Sequence, residues 1–527
     1  MRNLIFLCLL LVGSLTNAAE NKTRLVVGIT ISNFYPEWLD VYQRELASGG
    51  LRRIMQGSVQ LKADYDYLFS QSGADQATIY TGLLPSEHGM VMHEWYDRLR
   101  GRRQGNVASE QYMAIGEDRE MNGLSPEWMQ SLTLGCVMKM HNAFAKVFSL
   151  SMNGEEAVLS GGNCADMALW FSENNGKWVS SKYYADSLYG WIGDYNSKIE
   201  SDFYIRRGWM PLGEETANAM ALRLKNKVGI GSSFFYDINQ TKKKFDTYRV
   251  LKATPYANSI VADMAERLIR EEKLGMDNDA DLLTLSFSCL DYMNRDFAVY
   301  APEFRDVVIR LDRDVERLLA VLDSQVGRDN YTVVLTFSEA REILPEELDK
   351  MNIASGYFSI FKAVALLKSY LNLVYGEGDW IQDYDAGQIY LNRTLFEKNK
   401  IALKDIQDKV ADFMIEFEGV ARVMTGYSLT HNTLSSGVEA LFQNSYSPKR
   451  NGDVLFCLLP TWLPELKDAE DSYARYSKRN KVPLFFYGAG VTSSLRPECK
   501  MIDVLPTLCR ILDIPAPYTA KGENVLK

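Results

Sequence analysis

Four apolar runs, at residues 25–31, 282–287, 332–336 and 483–487, lack the polar and apolar alternation of a half-exposed strand. Such runs predict strands covered on both faces, as in a parallel sheet. Between them, residues 261–272, 304–324 and 401–417 repeat apolar positions at three- and four-residue spacing, which predicts amphipathic helices; a short helix is expected over 506–512. Strands alternating with helices point to an α/β fold, a doubly wound and mostly parallel central sheet flanked by helices. The ends of such strands are where a doubly wound sheet places its ligand site. No internal repeat or low-complexity tract interrupts the chain, so a single globule with a cap is expected.

The first 19 residues are patterned differently. Arg2, an apolar stretch over 4–12 and small residues at 16–19 read as a secretory signal peptide that is cleaved on export. The stretch is shorter than the ~20 residues of a spanning helix, and the mature chain has no later segment of that kind. A periplasmic or outer-membrane-associated location follows as an expectation. The formal charge of −10 becomes −11 when Arg2 leaves with the signal, which argues against sequence-independent nucleic-acid binding. Basic runs at 98–103 and 242–244 read as solvated loops. Six cysteines remain after Cys8 is removed, and export permits disulfides; of fifteen full pairings, Cys499 with Cys509 is the one expected, while Cys289 and Cys457 lie in apolar runs and read as buried thiols.

The chemistry-bearing stretch is Ser72-Gly-Ala-Asp-Gln-Ala-Thr-Ile-Tyr-Thr-Gly82, followed by Pro85-Ser-Glu-His-Gly-Met90 and Trp95-Tyr96-Asp97. It resembles the nucleophile turn of bacterial phosphate-irrepressible alkaline phosphatases of the alkaline phosphatase superfamily. The likeness extends along the chain through Val26-Val-Gly-Ile-Thr-Ile31, Ala168-Leu-Trp-Phe171, Asp291-Tyr292, Val333-Val-Leu-Thr336, Asn451-Gly-Asp-Val454 and Val482-Pro-Leu-Phe-Phe-Tyr-Gly488. The resemblance implies that family's fold, with a domain over 20–527 and cap insertions at about 100–275 and 345–475. It also implies two zinc ions, six Asp or His ligands and a Thr or Ser nucleophile.

The residues in those slots are other than the family's. Ser32 stands for a carboxylate ligand, Arg295 for a histidine, Ser338 and Glu339 for an Asp-His pair, and Lys481 for the last histidine, while Asp291 is retained. Ser72 occupies the nucleophile slot. Among substrate slots, Gln76 replaces a histidine, His93 an asparagine, Asn153 a lysine and Glu155 an arginine. Zinc is therefore expected to be absent and no residue is expected to be catalytic. Arg295 and Lys481 are expected to neutralise Asp291, and Ser32, Ser72, Ser338 and Glu339 to fill the second metal slot. His88 reads as a structural residue of the turn.

These readings lead to an exported pseudophosphatase that binds an envelope protein or a small ligand, with Trp170, Trp178, Tyr183, Tyr184, Trp191 and Trp209 as the expected recognition surface. The alternatives are a hydrolase with metal-free chemistry around Ser72, Glu339 and Lys481, or a residual phosphomonoesterase or phosphodiesterase.

Overall fold

The computed structural model describes residues 22–198, 200–212, 236–240, 244–293, 301–340, 343–385, 387–465 and 481–527. The expected signal segment 1–19, Arg295 and the side chain of Glu339 lie outside the described residues, as does most of the basic run 242–244.

Eleven described strands form one sheet. In chain order they are β1 (Leu25–Asn33), β2 (Ser58–Asp64), β3 (Ala108–Ile115), β4 (Asn122–Leu124), β5 (Val147–Ser151), β6 (Met167–Phe171), β7 (Trp178–Ser181), β8 (Asp281–Phe287), β9 (Tyr331–Ala340), β10 (Val482–Gly488) and β11 (Glu498–Lys500). Across the sheet they run β11-β2-β10-β9-β1-β8-β5-β6-β7-β3-β4. The central five, β9-β1-β8-β5-β6, are parallel to one another. Every residue of β1 and β8 is buried, as expected of strands covered on both faces.

Both faces of the sheet are covered. The helices used below are α1 (Ser72–Thr81), α2 (Gly154–Gly161), α3 (Lys244–Lys252), α4 (Tyr256–Glu271) and α5 (Pro302–Gln325). The apolar residues of α4 and α5 join the large core with Val27, Leu283 and Leu285. On the face toward α1 and α2 the strands carry small and hydroxyl side chains. Thr30 and Ser286 hydrogen-bond Gln76 of α1, and Thr284 hydrogen-bonds Ser160 of α2. Gly28 belongs to this face because a β-carbon there would collide with the ring of Tyr80.

Two expectations about the sheet need correction. The run 483–487 is not a parallel strand: β10 is antiparallel to both β9 and β2. An apolar run reports two covered faces and carries no information on direction. The stretch from about 100 to 275, expected as a cap, supplies β3 to β7 to the main sheet itself.

Residues 381–458 build a second sheet, from Ile381–Asp385, Gln388–Leu391, Val454–Leu458 and Val420–Thr425, with its own core around Leu367, Ile389, Phe396 and Phe456. This core takes in Leu68, Phe69 and Met92, on either side of α1 in sequence. Arg98 bonds the buried Asp453 at 3.0 Å, and the Leu68 amide donates to Ser445 Oγ at 2.8 Å, so the second layer is fastened beside α1.

The disulfide joins Cys136 to Cys164, and Cys499 and Cys509 are free buried thiols. The expected pair is thus corrected. Cys499 lies in β11 and Cys509 in the helix Val504–Ile511, where burial pushes each thiol pKa up to about 12. Cys289 and Cys457 are buried thiols, as expected. The expected aromatic recognition surface is also corrected in part, since Trp170, Trp178 and Trp209 are buried packing residues. Among the described residues no helix is long and apolar enough to cross a membrane.

Candidate functional site

The site gathers where β1, β8 and β9 end and α1 and α2 begin. Ser72 opens α1 from an extended Gln71, and the helix stops at Gly82, whose φ of 65° suits glycine. Asp75, in the first turn, is held by hydroxyls of Tyr67 and Ser70, each at 2.5 Å. This fixes the entry of α1 and so the position of Ser72.

At the centre lies Glu156 of α2, which is fully buried. Its Oε1 accepts from Ser32 Oγ at 3.0 Å and its Oε2 from Ser151 Oγ at 2.6 Å. Ser72 supplies a third hydroxyl. Burial raises the Glu156 pKa above the usual carboxylate range; the three hydroxyls oppose the rise and the neighbouring Glu155 adds to it. The sequence reading singled out Glu155 and missed Glu156, because only Glu155 aligned with a family position. The available signal was two consecutive acids in the first turn of a helix facing serine-filled slots.

Lys252, the last residue of α3, was missed as well. It is 5% exposed, its Nζ lies 2.8 Å from Glu173 Oε1, and it stands 5.0 Å from the centre of the Tyr292 ring. Burial lowers its pKa, and the fields of Glu173 and Glu156 push the other way. Tyr292 follows Asp291, so this cation faces the same cluster.

Asp291 accepts from Asn33 Nδ2. Asn33 adopts a φ of 53°, a left-handed conformation that asparagine tolerates, and its backbone amide donates to Ser338 Oγ at 3.0 Å. One residue at the end of β1 therefore joins Asp291 to Ser338.

Lys481 is elsewhere. It pairs with Glu498 on the exposed rim, and both partners are well solvated. The expected Lys481–Asp291 pair is corrected by the strand order. Because β10 is antiparallel, its first residues do lie at the carboxyl end of the parallel strands. Three strand spacings still separate β10 from β8, roughly 14 Å at ~4.8 Å each.

The substrate slots form a connected set. Asn153 caps α2, its Oδ1 accepting from the Glu155 amide at 2.9 Å. The Glu155 carboxylate accepts from Asn106 Nδ2 and His93 Nδ1. Gln76 lies below, donating to Ser286 Oγ at 2.9 Å. His88 is fully buried. It accepts from the Met90 amide at Nδ1 and meets Thr78 at Nε2, with its pKa lowered to about 3 by burial and then by Arg450. The structure brings together Ser32, Ser72, Asn153, Glu155 and Gln76 on α1, α2 and β1, and Asp291 with Ser338 beside them.

Comparisons with known proteins agree with this architecture. The family model described as type I phosphodiesterase / nucleotide pyrophosphatase matches residues 26–337. The chain is 24% identical over 526 residues to alkaline phosphatase PafA of Elizabethkingia meningoseptica, covering 98% of this chain and 96% of that protein. It is 26% identical over 515 residues to alkaline phosphatase PhoV of Synechococcus elongatus, covering 96% and 92%. It superposes on the crystal structure of wild-type alkaline phosphatase PafA with a TM-score of 0.87 at 23% identity, covering 96% of this chain and 99% of that one.

Proposed function

We propose that this chain, which belongs to the type I phosphodiesterase / nucleotide pyrophosphatase family, is a binding protein of the cell envelope that lacks the metal pair and phosphate clamp of an alkaline phosphatase. The observation that carries the reading is Glu156, a buried carboxylate wrapped by the hydroxyls of Ser32, Ser72 and Ser151. Zinc needs converging nitrogen, sulfur or carboxylate lone pairs. Hydroxyls that point protons at a carboxylate do not supply them. Among the described residues no group of three His, Cys, Asp or Glu side chains is arranged to hold a metal ion. Glu155, moreover, puts negative charge where a phosphate dianion would approach.

Phosphomonoester and phosphodiester hydrolysis with zinc supplied tests the reading. The wild-type protein is expected to turn over neither substrate faster than Ser72→Ala. Zinc-dependent turnover abolished by Ser72→Ala would overturn it.

A second reading is favoured by one juxtaposition, the Ser72 hydroxyl beside the Glu156 carboxylate. A serine beside a carboxylate of raised pKa is the start of a metal-free nucleophile and base pair. This version of the hydrolase replaces Lys481, which is engaged on the rim, with Glu156 as base. Turnover in the presence of a chelator, lost in both Ser72→Ala and Glu156→Gln, would establish it over the binding protein.

A further inference from the structure

The helix α6 (Ile360–Tyr375) presents apolar side chains on two opposite sides. Ile360, Ala363, Val364, Leu367 and Leu371, at three- and four-residue spacing, are buried in the core of the second sheet with Ile389 and Phe456. On the outer side, Lys362, Leu366, Ser369 and Leu373 follow one another at spacings of four, three and four, the period of a helix-helix seam. Leu366 is 55% exposed and Leu373 86%. A helix that packs on one side normally carries polar residues on the other, and apolar side chains gathered on the outer face mark a contact surface.

The charges at the two ends of the seam select what fits it. Lys362 stands in the first turn, where the helix dipole disfavours a cation, and meets Glu465 at only 3.9 Å. The last turn carries no basic residue, and the exposed Glu377 and Asp379 follow it, where the dipole disfavours carboxylates. Each end therefore lacks the charge that the other end holds. A second copy of α6 turned about a two-fold axis at Ser369–Tyr370 runs antiparallel to the first. It sets its Leu373 against Leu366 and brings its Glu377 beside Lys362, because both pairs are centred on the same point of the helix.

We propose that the outer face of α6 is a two-fold contact between two copies of this chain, with Leu366 and Leu373 at its centre and Lys362 paired with Glu377 at each end. An anionic lipid surface fits this face less well, since Glu377 and Asp379 would lie against it. A seam of this length is at the small end of specific interfaces, so a dissociation constant on the order of 10 µM is expected. The contact belongs to the second layer and is independent of what the site around Glu156 binds.

Sedimentation velocity of the purified protein, from about 1 to about 200 µM, tests the proposal. The wild-type protein is expected to pass from monomer to dimer across that range, and the double variant Leu366→Glu, Leu373→Glu to stay monomeric. Lys362→Glu is expected to raise the dissociation constant about tenfold, because two symmetry-related pairs turn repulsive. Adding Glu377→Lys to it is expected to restore the wild-type value within about twofold, because the swap rebuilds both pairs. The charge variants alter only exposed side chains, so they read the contact even where the leucine variant folds poorly. A wild-type monomer at every concentration, a dimer that survives in the folded leucine variant, or a charge swap as weak as Lys362→Glu alone would each overturn the proposal. Binding of a monomeric wild-type protein to phosphatidylglycerol vesicles, lost in the leucine variant, would assign the face to a lipid surface and overturn it as well.

Discussion

At the residue scale, the charges of the site divide into buried ones with partners and exposed ones without consequence. Lys252 is buried against Glu173 and within the field of Glu156, so removing its charge leaves two carboxylates without their cation. Breaking one half of a buried pair costs far more than the pair contributes on balance. Lys252→Met is expected to lower the unfolding free energy by about 3 kcal/mol in urea titration. Lys481→Met, whose partner Glu498 is solvated, is expected to leave it unchanged within error. Comparable effects of the two substitutions would contradict the burial argument. Glu156, Lys252 and Asn33 were not legible in the sequence. Glu156 takes its meaning from three serines at positions 32, 72 and 151, Lys252 from a carboxylate 79 positions earlier (252 − 173), and Asn33 from a left-handed backbone. None of these leaves a local pattern.

At the element scale, hydrophobic periodicity located the central strands and the helices α4 and α5, because burial imposes a period of two, a run, or a period near 3.6. It did not reveal that β10 runs antiparallel, nor that three strand spacings separate β10 from β8, and the placement of Lys481 beside Asp291 failed on that strand order. Cysteine spacing failed for a similar reason. Pairing follows which elements lie side by side, and Cys136 sits in the helix Leu134–His141 near the turn that leads into β6. That disulfide closes a sequence separation of 28 residues. Loop entropy alone sets its stabilisation at about 3–4 kcal/mol. Replacing Cys136 and Cys164 by serine is expected to lower the thermal midpoint by several degrees in calorimetry, while replacing Cys509 by serine has no such loop to release. An unchanged midpoint in the double variant would contradict a disulfide in the folded protein.

At the scale of the whole molecule, fold and chemistry are separate questions. The chain follows the backbone of PafA over 96% of its length at 23% identity, and a protein surface can keep such a scaffold while its site residues change. The order of motifs made that scaffold legible before any coordinates. Several residues that gather at the site were named in the sequence, but the contacts among them were not legible there. Hydroxyls meeting Glu156, Asn33 bridging Asp291 to Ser338, and Glu155 resting on Gly73 are contacts among five separate segments. The central claim is that these contacts stand where zinc stands in an alkaline phosphatase. Elemental analysis of the purified protein, equilibrated with zinc and freed of excess metal, tests it most directly. The account predicts well below one zinc ion per chain; one or two ions per chain, lost on Asp291→Ala, would contradict it.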